Sequence, residues 1–389
     1  MMQFSFVLTC VCLFFGIWYL GSVLYLRRGL SRNSRSTNPH GHRFSVIIAA
    51  RNEEKSIERC IRSLMQQSVD SSRYEVIVAN DRSIDATRQI LEKLRQEFEN
   101  LYIIDITTLP IACSPKKNAL TQAISIAKNE IIVYTDADCV VGERWLESID
   151  CHFEENVGLV QGITTYHRDT TISPLLYGFQ AIEFLSHGIV SAAAIGAGFP
   201  LNSNANNLAF RKSIFKQIDG YSTVQELVSG DDDLLLQRIW RDKSWKLRYM
   251  TDTRGAVTTT PTPTLRGVFE QRKRWGSKTV HYNPGQIIFL GGIFSFYLSL
   301  ITATGAAFLS SDCWPLAGIL WFVKLLGEAL LMIPGMRMFR QQFLLPYFLP
   351  ASVLQLPMII LAVLLGVFGS YEWKQQRFMR KMKKEELNV

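Results

Sequence analysis

Two carboxylates, Asp136 and Asp138, close the run 131–139 (IIVYTDADC) at spacing i, i+2. In a strand that spacing puts both on one face, and at a strand's end they can converge on one ligand. A hard divalent cation, Mg2+ or Mn2+, takes such oxygens and completes its shell with water and phosphate. The pair reads as a metal site for a nucleotide diphosphate; a solvated acidic turn is the alternative for an isolated D-x-D. Asp81, in NDRSIDAT, follows another apolar run. There a carboxylate accepts from a base N–H or a ribose hydroxyl, or it caps the next helix.

Lys116 and Lys117 open a helical stretch, where backbone N–H groups and an ammonium both attract phosphate. A solvated lysine pair is the alternative. Asp231, Asp232 and Asp233 stand in succession before another helix. One cap needs one of them, and crowding raises the pKa of a neighbour into the range of a proton acceptor. In EQRKRWGSK, Arg274 offers a fork for phosphate oxygens and Trp275 a flat face for a sugar or a lipid headgroup. The same basic stretch also suits a plain interfacial anchor. Lys324 and Glu328, one turn apart in an apolar run, neutralise one another.

The elements that position these groups alternate. Apolar runs at 44–50, 74–79, 102–106 and 131–135 read as strands, and 56–67, 85–98 and 116–128 carry helical spacing. Strand and helix in alternation predict a parallel α/β sheet with right-handed crossovers and ligands beyond the carboxyl ends of its strands. Beyond Asp138 the pattern loosens. A strand is expected at 157–165, a surface helix at 173–194, a Gly/Asn/Ser loop at 196–207, a short strand at 208–210 and a helix at 234–241. An amphipathic interfacial helix is expected at 261–275.

The 389 residues are 48% hydrophobic and 20% charged, with a net charge of +8. The oil lies at the two ends. Residues 2–26 are long enough to span a bilayer and are followed by Arg27, Arg28, Arg32 and Arg35, which reads as an uncleaved anchor with a cytoplasmic downstream side. Spans are expected at 286–309 and 314–332. The stretch 343–369 contains Pro346, Pro350 and Pro357, and a proline-broken re-entrant or hairpin segment would keep the basic tail inside. The resulting division is anchor 1–28, α/β domain 43–260, interfacial segment 261–283, membrane segments 284–370 and tail 371–389. Basic residues flank membrane spans and no nucleic-acid signature accompanies them, so no nucleic-acid partner is expected. Seven scattered cysteines give no disulfide framework.

Taken together, the motifs resemble those of the membrane-bound family 2 glycosyltransferases, which include cellulose and hyaluronan synthases and ceramide glucosyltransferase. AARNEE is similar to the family's P-x-x-N-E turn, with Ala50 near the usual Pro; NDRSIDAT resembles D-D-x-S-x-D-x-T; PKKNAL resembles G-K-x-x-A-L; TDAD is a D-x-D; GDDDLLLQR resembles E-D-x-x-L-x-x-R; QRKRW is a Q-x-x-R-W. The resemblance implies a GT-A, Rossmann-like α/β fold flanked by transmembrane helices. It implies a donor site from Ala50, Asn52, Glu53, Asp81, Lys116 or Lys117, Asp136 and Arg274, with Asp138 and Asp136 at the metal. Asp232 takes the place of the general base, and Asp231, Gln271 and Trp275 fall on the acceptor side. The expected function is metal-dependent, inverting transfer from a nucleotide-diphosphate sugar to a lipid or membrane-associated glycan at the cytoplasmic face. A processive polysaccharide synthase and a non-catalytic nucleotide-sugar-binding membrane protein are the alternatives.

Overall fold

The computed structural model describes residues 2–33, 38–110, 113–227, 229–278, 281–368, 370–373 and 376–379. A helix α1 (Met2–Leu30) leads into the alternation β1 (Phe44–Ala50), α2 (Ile57–Leu64), β2 (Tyr74–Asn80), α3 (Thr87–Glu97), β3 (Leu101–Asp105), α4 (Pro115–Ile126) and β4 (Ile131–Tyr134). Next come β5 (Val140–Val141), α5 (Trp145–Asp150), β6 (Val157–Gly162), β7 (Thr164–Tyr166), α6 (Pro174–Gly196), β8 (Leu208–Arg211), α7 (Lys212–Gln217) and α8 (Asp233–Arg241). The chain continues through β9 (Lys246–Met250), β10 (Val257–Thr259), α9 (Leu265–Gly276), α10 (Pro284–Leu309), α11 (Trp314–Met338) and α12 (Phe348–Phe368) to a hairpin of β11 (Ser370–Trp373) and β12 (Gln376–Met379).

Seven strands form the main sheet in the order β3-β2-β1-β4-β8-β6-β9. The first four are parallel, and β8 runs antiparallel to both β4 and β6. The strand order reverses between β1 and β4, which opens a crevice at their carboxyl ends, the usual ligand position in such sheets. Side chains alternate across the sheet. Val46, Ile48, Val76 and Val78 join a core with α2 and α3, whereas Ile47, Ile77 and Ala79 join one with α4 and α6. That second core is continuous with Tyr19, Phe296 and Leu320 of the apolar helices.

Three expectations need correction. The strand expected at 157–165 divides at Ile163: β6 stays in the main sheet, while β7 joins β5 and β10 in a second one. The Ile163 carbonyl accepts from Val257 N and from the Asn207 side chain, which pins the break. The interfacial helix starts at Leu265, with Thr264 as its cap, so residues 261–264 stand outside it. Among the described residues of the segment 343–369 there is no hairpin. Pro346 falls in a 3-10 turn (Gln342–Tyr347) and Pro350 in the first turn of α12, where a missing N–H costs nothing; the helix then runs through Pro357. Arg35 and the basic residues beyond Met379 lie outside the described residues.

Five helical segments among the described residues are long and apolar enough to cross a membrane. In α1, α10, α11 and the α12 segment only 28–33% of the apolar window is buried in the protein, against 78% for α6. The reason is position: α6 packs between β7 and β9 on one side and α1, α11 and α12 on the other. At its end Gly196 meets Gly29 of α1 so closely that a Cβ on either would strike backbone. Ser352 near the start of α12 accepts from Lys324, midway along α11, and Gly366 near its end lies against Lys273 of α9.

Candidate active site

The sheet delivers Ala50 at the end of β1 and Glu53 after it, Asp81 after β2, and Asp136 and Asp138 after β4 to one cavity of ≈ 860 Å³. Lys116 from the start of α4, Asp231 and Asp232 before α8, and Gln271, Arg274 and Trp275 of α9 line the same cavity. Residues separated by more than two hundred positions along the chain, Ala50 and Trp275 among them, thus share one wall.

Lys116 Nζ lies 2.9 Å from Asp136 Oδ1 and 2.9 Å from Asp231 Oδ2. Burial opposes its charge, but the two carboxylates outweigh burial and raise its pKa. Asp231 is correspondingly held below the usual carboxylate range, with Lys116 overcoming burial. Lys117 points elsewhere: its Nζ donates to the carbonyls of Val224, Leu227 and Ser229 at 2.8, 2.6 and 3.0 Å. Burial lowers its pKa to about 8. It secures the loop that presents the aspartates and is not part of the cavity wall.

Asn52 is likewise a scaffold residue. It adopts a left-handed backbone (φ 54) and its Oδ1 accepts from Ile84 N, while its own N–H donates to Ser83 Oγ. These bonds join the AARNEE and NDRSIDAT turns. Asp81, 4% exposed, receives Arg82 Nε at 2.9 Å.

Burial and then the nearby Asp136 and Glu53 raise the pKa of Asp138, whose Oδ2 accepts from Thr259 at 3.0 Å. A divalent cation would relieve that repulsion, so the donor set suits one. Among the described residues no cluster of three metal-type side chains forms. A hard cation here would therefore draw its other ligands from diphosphate and water.

The aspartate triplet differs from expectation. The carboxylate of the three that burial raises is Asp233, which also borders the cavity but is already engaged on both oxygens. It accepts from Ser203 N, from Tyr282 O–H at 2.6 Å and from Lys278 at 2.6 Å, which makes it a clamp. Asp232 Oδ1 receives Lys278 Nζ at 3.0 Å, and its Oδ2 takes a long 3.3 Å bond from Ala205 N. Lys278 stays charged, since the two carboxylates overcome burial.

Helix α9 is docked by a residue that sequence reasoning passed over. Arg272 donates to Glu183 Oε2 of α6 at 2.8 and 2.6 Å, with both side chains buried, and its guanidinium lies 4.2 Å from the Trp275 ring centroid. Trp275 also stacks on Phe184 and meets His187 edge-on. The polar Gln180, Glu183 and His187 in an otherwise apolar helix were the available signal. Lys278 and Tyr282 carried none, because only folding brings them to Asp233.

A sheet with a nucleotide-binding half, an acidic pair at its switch point and apolar helices alongside defines a GT-A domain joined to a membrane-type helical region. A mannosyltransferase from Pyrobaculum calidifontis, solved with GDP-Man and Mn2+, superposes with a TM-score of 0.59 over 90% of this chain and 99% of its own, at 18% identity. The profile described as Glycosyl transferase family 2 matches residues 45–190, and that of Glycosyl transferase family group 2 matches residues 131–368, more than half the chain. The chain belongs to this glycosyltransferase family.

A β-monoglucosyldiacylglycerol synthase of Trichormus variabilis is 31% identical over 147 residues, 38% of this chain and 30% of that protein. A poly-β-1,6-N-acetyl-D-glucosamine synthase of Staphylococcus epidermidis is 25% identical over 66% of this chain and 61% of its own. The chain spans less than a third of the length of the first curated relatives it matches.

Proposed function

We propose that this protein is a membrane-anchored, inverting glycosyltransferase that moves a sugar from a nucleotide-diphosphate donor to a lipid acceptor at the cytoplasmic face. One observation carries the reading: Asp138, Asp232 and Arg274 line a single cavity that continues between the apolar helices. The base and ribose sit by Asp81, and the diphosphate lies between Lys116 and Arg274. Asp136 and Asp138 would hold a divalent cation, which when bound neutralises the diphosphate.

In the reaction the acceptor hydroxyl oxygen bonds to the anomeric carbon as the carbon–phosphate-oxygen bond breaks, and the hydroxyl proton passes to Asp232. Oδ2 is the oxygen available for it, since Lys278 holds Oδ1. Lys116 and Arg274 stabilise the departing nucleoside diphosphate. Attack and departure on opposite faces invert the anomeric centre.

The relative that names a diacylglycerol product supports a lipid acceptor, and the one that names a polysaccharide supports a processive synthase. The walls beyond Trp275, with Leu290, Phe294, Met332 and Ile359, favour the lipid. A panel of nucleotide sugars incubated with the full-length protein and membrane lipid extract tests this. One sugar added to a lipid, with release of nucleoside diphosphate, is expected by mass spectrometry; a ladder of long glycans would overturn it in favour of a synthase.

A further inference from the structure

The cavity does not end at Trp275. It runs on between α1, α10, α11 and α12 to a second polar region formed by Tyr297, Glu328 and Gln355. The path between the two is apolar, walled by Ile287, Leu290, Phe294, Leu331 and Met358. Tyr282, bonded to Asp233, precedes α10, and Tyr297 lies on that helix. At 1.5 Å per residue the two polar ends are about 20 Å apart.

The inner end has hydrogen-bonding capacity that the protein leaves unused. Lys324 donates to Glu328 Oε1 and to the Ser352 carbonyl, whereas Glu328 Oε2 is buried without a hydrogen-bond partner. Gln355 is half-buried on the cavity wall and makes no hydrogen bond among the described residues. A buried carboxylate oxygen without a partner is costly, and an unpaired amide in an apolar helix is costly too. The Lys324–Glu328 pair is explained by mutual neutralisation; the Gln355 amide facing the cavity is not.

We propose that this inner end is a recognition site for a hydroxyl or amide carried within the acyl chain of the acceptor lipid, about 20 Å from the hydroxyl that reacts at Asp232. Such a group both donates and accepts, so it matches a carboxylate and an amide at once. The apolar path fits the methylenes between. A growing glycan would instead place hydroxyls along the whole path, against Leu290, Leu331 and Met358. The inference rests on the lipid-acceptor reading above and narrows it to a chain-functionalised lipid.

The test compares monoricinoleoylglycerol with mono-oleoylglycerol, which differ by one mid-chain hydroxyl. Binding to the full-length protein in lipid nanodiscs is measured without nucleotide, alongside Gln355→Leu. That variant leaves the Lys324–Glu328 pair intact and places an apolar residue in an apolar helix. The parent is expected to bind the hydroxylated lipid at least about tenfold more tightly, the factor for one hydrogen bond to a charged or buried group. In Gln355→Leu the preference should fall to about threefold or less, mostly through tighter binding of the oleoyl lipid. Equal affinity in the parent, a preference unmoved by Gln355→Leu, or tighter binding of an oligosaccharide than of either lipid would overturn the proposal. Transfer of sugar to both lipids at equal rates would keep the function and remove this site. Selective binding without transfer would keep the site and remove the function.

Discussion

Lys116 and Lys117 are neighbours in sequence and opposites in role. One residue on a helix is a rotation of about 100°, so if one ammonium faces the cavity the other faces the protein. Composition and spacing make the pair visible; only packing tells which one the donor meets. Lys117→Met should therefore lower stability by about 2–3 kcal/mol, because one buried and two part-buried carbonyls lose their donor. Lys116→Ala should instead weaken donor affinity, read by calorimetry with a nucleotide sugar, with a smaller change in melting temperature. The reverse pattern would exchange their roles. The triplet 231–233 teaches the same lesson. Its three carboxylates are an ion-pair partner, the proposed base and a clamp, sorted by Lys116 and Lys278 from far along the chain. Asp232→Asn should cut transfer by about 10²–10⁴-fold and leave donor affinity nearly unchanged. Substantial residual transfer would take the base's role from this residue.

At the level of elements, the first half of the sheet was legible because each strand is a short run of β-branched residues followed by a helix of period 3.6. The strands β5 and β10 were not, and β7 showed only as the tail of the strand expected at 157–165, since all three are two or three residues long and exist only through one another. Strand β9, with its Lys-Leu-Arg-Tyr-Met alternation, looks like loop until β6 pairs with it. The docking of α9 was equally invisible, for it depends on Arg272 finding Glu183 across the cavity. Removing one member of a buried pair strands the other, so Arg272→Met should cost about 3–5 kcal/mol, and adding Glu183→Leu should restore most of it. Thermal unfolding of both variants checks this; a mild single variant would mean that α9 is held by other contacts. Entry to β1 is fixed by Asp150, which accepts from Gly41 N, His42 and Arg73. Burial would raise its pKa, but these donors win and lower it to about 2. A depressed folded-state pKa gives stability that is complete above the unfolded value near 3.8 and lost as pH falls through about 2. Asp150→Asn should thus destabilise by about 2 kcal/mol at neutral pH, and the gap should close between pH 4 and pH 2 in urea titrations.

For the molecule as a whole, the decisive arrangement is that the carboxyl ends of α1 and α11 and the amino end of α10 all meet the α/β domain. Gly29 packs on α6, Phe339 beside α11 meets Tyr249 of β9, and Gln286 donates to the Pro200 carbonyl. With α10 and α11 antiparallel, their 3-10 connection Ser311–Cys313 lies at the far end of the bundle, about 35–40 Å from that junction at 1.5 Å per residue, a bilayer's thickness. Arg27 and Arg28 sit at the domain end of α1, and the proposed orientation, following the positive-inside rule, puts that end in the cytoplasm. The orientation has a direct check. Five of the seven cysteines are buried, so replacing Cys10 and Cys313 by serine leaves a quiet background. In it, Ser311→Cys should react with a membrane-impermeant maleimide on intact cells, and Glu58→Cys, on the exposed face of α2, only after permeabilisation. Reaction of Glu58→Cys in intact cells would put the catalytic domain outside, away from the cytoplasmic pool of nucleotide sugars. A donor site without access to its donor could not be an active site, so orientation and chemistry stand or fall on the same measurement.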